Sequence, residues 1–268
     1  MAEMTKYQPG TPSWVDLGTP DPDEASRFYS DLFRWTIEAG PPEAGGYRMC
    51  LLDGKAVAGL GPQQNTDVPP YWTTYMTIAD VDEIAAAITE NGGTIIVAPM
   101  DVLDAGRMAV AADPGGTTFS IWQPGIHPGA AIVNEPNTWS WSELMTRDPV
   151  RSVEFYGAVF GWEAHLVTAG EDGEANNNSP HNYTEFHLSG RRIAGMLPME
   201  GDTWPADMPN QWVVYFAVDD CEAAVAKIEA LGGSVLMPPT VVPPGMFAAV
   251  KDPQGAAFNV IAMVAPDT

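Results

Sequence analysis

Asp16 and Glu143 are the residues whose type and setting best suit chemistry. Each stands two places after a tryptophan, in Trp14-Val15-Asp16-Leu17 and Trp141-Ser142-Glu143-Leu144. In an extended segment residues i and i+2 share a face, so each carboxylate lies beside an indole. A carboxyl that loses part of its water there has a raised pKa and suits general acid or base work. Two other readings compete with this. One is a structural carboxylate held by backbone or hydroxyl groups; the other is recognition, since an acidic, aromatic setting attracts a cationic or planar ligand.

Further candidates are fewer. Tyr75 and Tyr215 occupy matched positions, and Trp122 alternates with Ser120 on one segment, so these point toward a shared interior or else pack a core. His187 alternates with Glu185 and Tyr183. The three can share a face and form a histidine–carboxylate pair for proton transfer, although an outer-face pair on an exposed strand is the plainer reading. A two-histidine metal site from His181 and His187 would need carboxylates that spacing alone does not supply. His127 and His165 have no evident partner, and Arg107, whose repeat partner is Met246, reads as a surface ion pair or a role in one half only. No nucleophile elbow, phosphate loop, dinucleotide fingerprint or zinc-spaced cysteine pair is present.

The elements that position these residues are written twice. Trp14, Asp21 and Phe28-Tyr29 return as Trp141, Asp148 and Phe155-Tyr156, a displacement of 127 (14 to 141). Val57-Ala58-Gly59-Leu60 returns as Ile193-Ala194-Gly195-Met196, Trp72 to Asp80 as Trp212 to Asp220, and Asp113-Pro114-Gly115-Gly116 as Asp252-Pro253-Gln254-Gly255. Such self-similarity is the mark of a duplicated unit. The displacement grows most between Trp162 and Ile193, where Gly170 to Asn182 reads as an added loop. Within each half the pattern is strand, helix and three strands, occurring twice. Ser13 to Gly18 alternates as a strand. Asp21 caps a helix with Pro22 at its first position, and Ala25, Phe28, Tyr29 and Leu32 form its apolar face. Asp53-Gly54 is a hairpin turn, and Gly92-Gly93 ends the second helix. The expected organisation is a first domain over 1–124, a linker over 125–137 and a second domain over 138–268, each long enough for its own core.

Composition bounds the partners. Hydrophobic residues make up 45% and charged residues 18%, which describes a folded globular chain. A formal net charge of −23 makes nucleic acid and anionic membranes unlikely companions by simple repulsion. Cys50 and Cys221 have no metal-type spacing and read as buried thiols in a reducing compartment. The absence of a long apolar run and of an apolar N-terminal segment predicts a soluble, cytoplasmic protein.

Phe28-Tyr29 behind Asp21, Phe33-x-Trp35 after it and Asp113-Pro114-x-Gly116 before a final strand make this sequence resemble the vicinal oxygen chelate superfamily. That group comprises glyoxalase I, bleomycin-resistance proteins and extradiol dioxygenases, and the resemblance covers nearly the whole chain. It implies an α+β fold of four βαβββ units forming two tandem glyoxalase-like domains, each a curled mixed sheet enclosing a cup. The nearest resemblance is to the two-domain bacterial branch described as glyoxalase-like or hydroxylase, parts of which serve polyketide antibiotic pathways. The family's usual metal ligands fall by position on Trp14, Thr73 and Ser120 in the first half and on Trp141, Val213 and Asn259 in the second. An indole or an isopropyl group offers a metal no electron pair, so no metal and no other cofactor is expected. The expected function is therefore action on a small organic molecule, a ketoaldehyde or a polycyclic natural product, in an aromatic, metal-free cup. Asp16 and Glu143 would be its acid–base groups, with Trp14, Trp141, Tyr75, Tyr215, Trp122, Ser120 and Asn259 lining it. The alternatives are a bleomycin-resistance-type protein that sequesters a cationic or planar aromatic ligand unchanged, and a protein–protein adaptor whose cups are filled by side chains. Four units can pair within one chain or between two, which leaves monomer and homodimer both open.

Overall fold

The computed structural model describes residues 3–63, 65–167, 183–201 and 204–264. The expected loop from Gly170 to Asn182, with His181, lies outside them. The first half runs β1 (Pro12–Thr19), α1 (Pro22–Phe33), β2 (Thr36–Ala39), β3 (Arg48–Leu52), β4 (Lys55–Pro62), β5 (Tyr71–Thr77), α2 (Val81–Glu90), β6 (Thr94–Val102), β7 (Gly106–Ala112) and β8 (Thr118–Pro124). The second repeats this plan as β9 (Trp139–Thr146), α3 (Pro149–Phe160), β10 (Glu163–Leu166), β11 (Thr184–Leu188), β12 (Arg191–Pro198), β13 (Gln211–Ala217), α4 (Cys221–Ala230), β14 (Ser234–Val242), β15 (Gly245–Lys251) and β16 (Ala257–Met263). The four βαβββ units are those read from the sequence.

Local chemistry explains the repeats. All four helices start at an aspartate, since Asp21, Asp80, Asp148 and Asp220 each accept backbone N–H groups that the first turn leaves unpaired. Asp53 and Gly54 both have positive φ, as a two-residue hairpin requires. In each half eight strands form one curled sheet, ordered β2-β3-β4-β1-β5-β8-β7-β6 and β10-β11-β12-β9-β13-β16-β15-β14. The two sheets meet at strand ends, where Ala257, the first residue of β16, pairs with Tyr71, the first of β5.

One face of each sheet encloses a cup, and the other carries the core. Here the structure differs from the expectation of one core per half, because each of the two large apolar clusters is shared between the halves. One cluster joins Val15, Phe28, Tyr29 and Phe33 of the first unit to Phe216, Val225, Ile228 and Phe258 of the fourth. The other joins Met76, Ile88 and Phe119 of the second unit to Phe155, Tyr156, Trp162 and Phe186 of the third. The apolar helix faces were correctly placed on the inside, but periodicity along one helix does not say which sheet it meets.

Hydrogen bonds across the halves account for the repeated motifs. Tyr29 donates to Asp252 at 3.1 Å and accepts from the Trp72 indole at 3.1 Å. Symmetrically, Tyr156 donates to Asp113 at 3.2 Å and accepts from Trp212 at 2.9 Å. The Phe-Tyr pair of one unit and the Asp-Pro turn of another are thus two ends of one buried contact. Trp35, just after α1, likewise donates to the Asn137 carbonyl of the linker, and Trp162, just after α3, donates to that of Gly10 in the first half.

Candidate functional site

Strand alternation puts Trp14, Asp16 and Gly18 of β1 on the cup face and Val15 and Leu17 on the other, with the Trp14 ring buried in the same apolar cluster as those two. Register sets Asp16 opposite Gly59 of β4 on one side and Thr73 of β5 on the other. The Asp16 carboxylate accepts from the Tyr75 hydroxyl at 2.8 Å and from the Tyr47 hydroxyl at 3.2 Å, while Tyr47 accepts from the Trp14 indole at 2.9 Å. A Cβ on Gly59 would lie 1.8 Å from the Tyr47 oxygen, so only glycine leaves room for this phenol to reach the carboxylate. Burial pushes the Asp16 carboxyl up to about 6, against the lowering effect of its two tyrosine donors. Both phenols are held far above their usual range, first by burial and then by the Asp16 charge, and so remain donors.

The second cup repeats the constellation. Glu143 accepts from Tyr215 at 2.9 Å and from Tyr183, and Tyr183 accepts from the Trp141 indole at 3.0 Å. Gly195 stands opposite Glu143 as Gly59 does opposite Asp16, with the Tyr183 oxygen 1.9 Å from where its Cβ would be. Burial raises Glu143 to about 6 as well. Sequence reading missed Tyr47 in this role and gave Tyr183 a different one. The signal was available, since the displacement of 136 that matches Gly59 to Gly195 also matches Tyr47 to Tyr183.

The remaining candidates fall where alternation puts them. Ser120 of β8 is the register partner of Tyr75, and Asn259 of β16 that of Tyr215. Trp122 lies on the same face as Ser120, and its indole donates to the His127 carbonyl at 2.9 Å. His187 meets Glu185 at 3.1 Å, but Glu185 also binds Arg192 at 2.9 Å and His165 stacks on His187 at 4.2 Å. This cluster flanks the second cup, because Glu185 pairs with Gly195 in the row that carries Glu143. Arg107 forms surface ion pairs with Asp82 and Asp101.

The two cups differ in how far they are filled. Gly18, Gly61 and Tyr71 face the first; Met145, Leu197 and Gln211 hold the matching places in the second. Met145 and Val213 join Met199, Leu197, Trp204 and Met208 in an apolar cluster over the second cup, and Glu143 is 6% exposed. Asp16 is less buried, and Tyr71, 42% exposed, stands at the rim of the first cup.

The positions of the family's metal ligands do not fit a divalent cation. Trp14 offers an N–H already given to Tyr47, Thr73 and Ser120 are neutral hydroxyls, and Val213 has no donor atom. Among the described residues no three His, Cys, Asp or Glu side chains converge as a metal site would need.

The Glyoxalase/Bleomycin resistance protein/Dioxygenase superfamily profile matches this chain twice, over residues 11–121 and 139–260. The chain belongs to that superfamily, as a tandem of two such domains. It is 38% identical over 271 residues to a Mycobacterium tuberculosis protein named "Putative glyoxylase CFP32", covering 97% of this chain and 98% of that one. It is also 36% identical over 273 residues to "Anthracycline biosynthesis protein DauV" of Streptomyces sp. strain C5, covering 96% and 95%. Among solved structures the fold matches the Mn(II)-bound glyoxalase of Novosphingobium aromaticivorans, with a TM-score of 0.63 at 16% identity over 97% and 85% of the chains. It also matches the 2,3-dioxygenase LapB of Pseudomonas sp. KL28, at 0.65 and 12% over 98% and 96%. No helix of the described residues is long and apolar enough to cross a membrane.

Proposed function

We propose that the first cup binds a planar, oxygenated organic molecule and that Asp16 moves a proton on it without a metal. The observation that carries this reading is the Trp14–Tyr47–Asp16–Tyr75 network, with the Tyr47 ring laid over Gly59 and Gly61. The two phenols fix the carboxylate, and a carboxyl poised near 6 is ionised at neutral pH yet basic enough to accept a proton. Trp14, Tyr71 and Tyr75 supply aromatic faces for a flat ring system. The anthracycline name of the Streptomyces relative supports a polycyclic, keto- or hydroxyl-bearing substrate, and the glyoxylase name of the mycobacterial one supports a ketoaldehyde. In the roofed second cup Glu143 serves structure more than turnover.

The test is conversion of a hydroxyanthraquinone and of methylglyoxal hemithioacetal by wild type, Asp16→Asn and Glu143→Gln, with product followed by mass spectrometry. Loss of one positioned acid–base group costs about 10²–10⁴ in rate, so Asp16→Asn abolishes turnover and Glu143→Gln changes it little. The same aromatic lining favours a second reading, in which the ligand is held unchanged. Full recovery of unaltered ligand with tight binding selects it.

A further inference from the structure

The cup-facing side of β5 presents hydroxyls in a row, on Tyr71, Thr73 and Tyr75. Register sets them opposite Gly18, Asp16 and Trp14 of β1 respectively. Of the three, the network around Asp16 takes up Tyr75. The hydroxyls of Tyr71 and Thr73 make no hydrogen bond to any described residue. Neither is shut away, since Tyr71 is 42% exposed and Thr73 is half-buried.

Directly opposed residues of an antiparallel pair have Cβ atoms about 4.5–5.5 Å apart, and diagonal neighbours about 7–8 Å. Thr73 therefore stands beside Asp16, and the longer Tyr71 side chain starts one step further along the same face. Burial first, and the Asp16 charge second, raise the Tyr71 phenol above its ordinary value, so it remains a donor at neutral pH. Space is left next to these donors, because Gly18 has no side chain and a Cβ built there would meet nothing nearer than Gln63 at 3.9 Å. The second cup puts Met145 in place of Gly18, Val213 in place of Thr73 and Gln211 in place of Tyr71. Met145 and Val213 pack into its apolar cluster. Free hydroxyls and open space thus occur together in the first cup and are replaced together in the second.

We infer that Tyr71 and Thr73 form a cradle of two donors for the carbonyl oxygen of a neutral ketone bound over Gly18, beside the Asp16 carboxylate. This deepens the reading of the first cup as the ligand site and rests on it. A ketone suits the arrangement because its oxygen only accepts, and both free hydroxyls can donate. A carboxylic acid, ionised at neutral pH, would set a second negative charge against Asp16. A hydrocarbon of the same shape would strip water from the two hydroxyls and leave them unpaired, which is the basis of discrimination.

The test is equilibrium dialysis of wild type and three variants against 1-tetralone and tetralin, which share a fused-ring frame and differ in the carbonyl. Tyr71→Phe removes one hydroxyl and keeps the ring, Thr73→Val removes the other and keeps the branched shape, and Gly18→Met fills the space. The last two import the residues that the second half carries at the matched positions. The expected result is about tenfold weaker binding of 1-tetralone by Tyr71→Phe and by Thr73→Val, with tetralin affinity held within about twofold. Gly18→Met is expected to lose both ligands. Equal losses for the two ligands, or no loss of 1-tetralone in either hydroxyl variant, overturn the cradle and leave the cup reading standing. Unchanged binding of 1-tetralone by Gly18→Met overturns the cradle as well. Failure of wild type to bind either ligand removes the cup reading and the cradle together. Thermal melts separate misfolding from lost recognition, and Tyr71→Phe, at the rim, decides the matter if the other two variants prove unstable.

Discussion

Gly59 and Gly195 have tyrosine oxygens where a Cβ would sit, so at these two places a single methyl group decides whether the network forms. Gly59→Ala is expected to expel Tyr47 from Asp16 and to cost about 1–3 kcal/mol of stability through overpacking, measured by urea unfolding. The carboxylates carry a separate signature. The folded-state pKa of Asp16 and of Glu143 is raised to about 6, above the ordinary 3.8 and 4.5. The folded state thus binds these protons more tightly, a contribution fully present below about pH 4 and lost as pH rises through about 6. At pH 7 each ionised group opposes folding, so Asp16→Asn is expected to raise stability by about 1–2 kcal/mol while removing the proposed activity. That gain shrinks as the pH falls toward 4, which melting temperatures across pH 4–7 would show. A carboxylate held for structure by its phenols would give the opposite sign at pH 7.

At the scale of elements, the turns before β8 and β16 act as clasps. The Asp252 carboxylate accepts the backbone N–H groups of Gln254 and Ala256 and the Tyr29 hydroxyl from α1 of the other half. Asp252→Ala strands all three donors and is expected to cost about 3 kcal/mol, whereas Tyr29→Phe removes one hydroxyl and costs about 1 kcal/mol. Denaturant titration of the two variants tests that order. The repeat revealed both motifs, but their pairing is diagonal, first unit with fourth and second with third. Nothing in the spacing of Phe28-Tyr29 or of Asp252-Pro253 within the chain distinguishes this from pairing inside a half.

Over the whole molecule, the shared cores make the halves interdependent. Residues 1–124 alone would expose Phe28, Phe33, Met76 and Phe119, which in the full chain are buried against the second half. That fragment is expected to aggregate or self-associate, and the full chain to unfold in one transition by circular dichroism and fluorescence alike. An independently folded fragment at low concentration, or two separated transitions, would contradict this. The sequence by itself determined the four units, the aspartate caps, the faces of Trp14, Asp16, Trp141 and Glu143, and the ill-suited donors at the family's metal positions. These follow from period-two alternation, capping chemistry and residue identity, all of which are local or repeated in register. Only the tertiary structure decided that Tyr47 and Tyr183 reach the carboxylates, that His127 packs edge-to-face on Trp14, that Met145 and Leu197 crowd the second cup, and that each large core belongs to both halves. Those facts depend on which strands become neighbours, and hydrophobic burial rewards contact without specifying in the chain where the partner comes from.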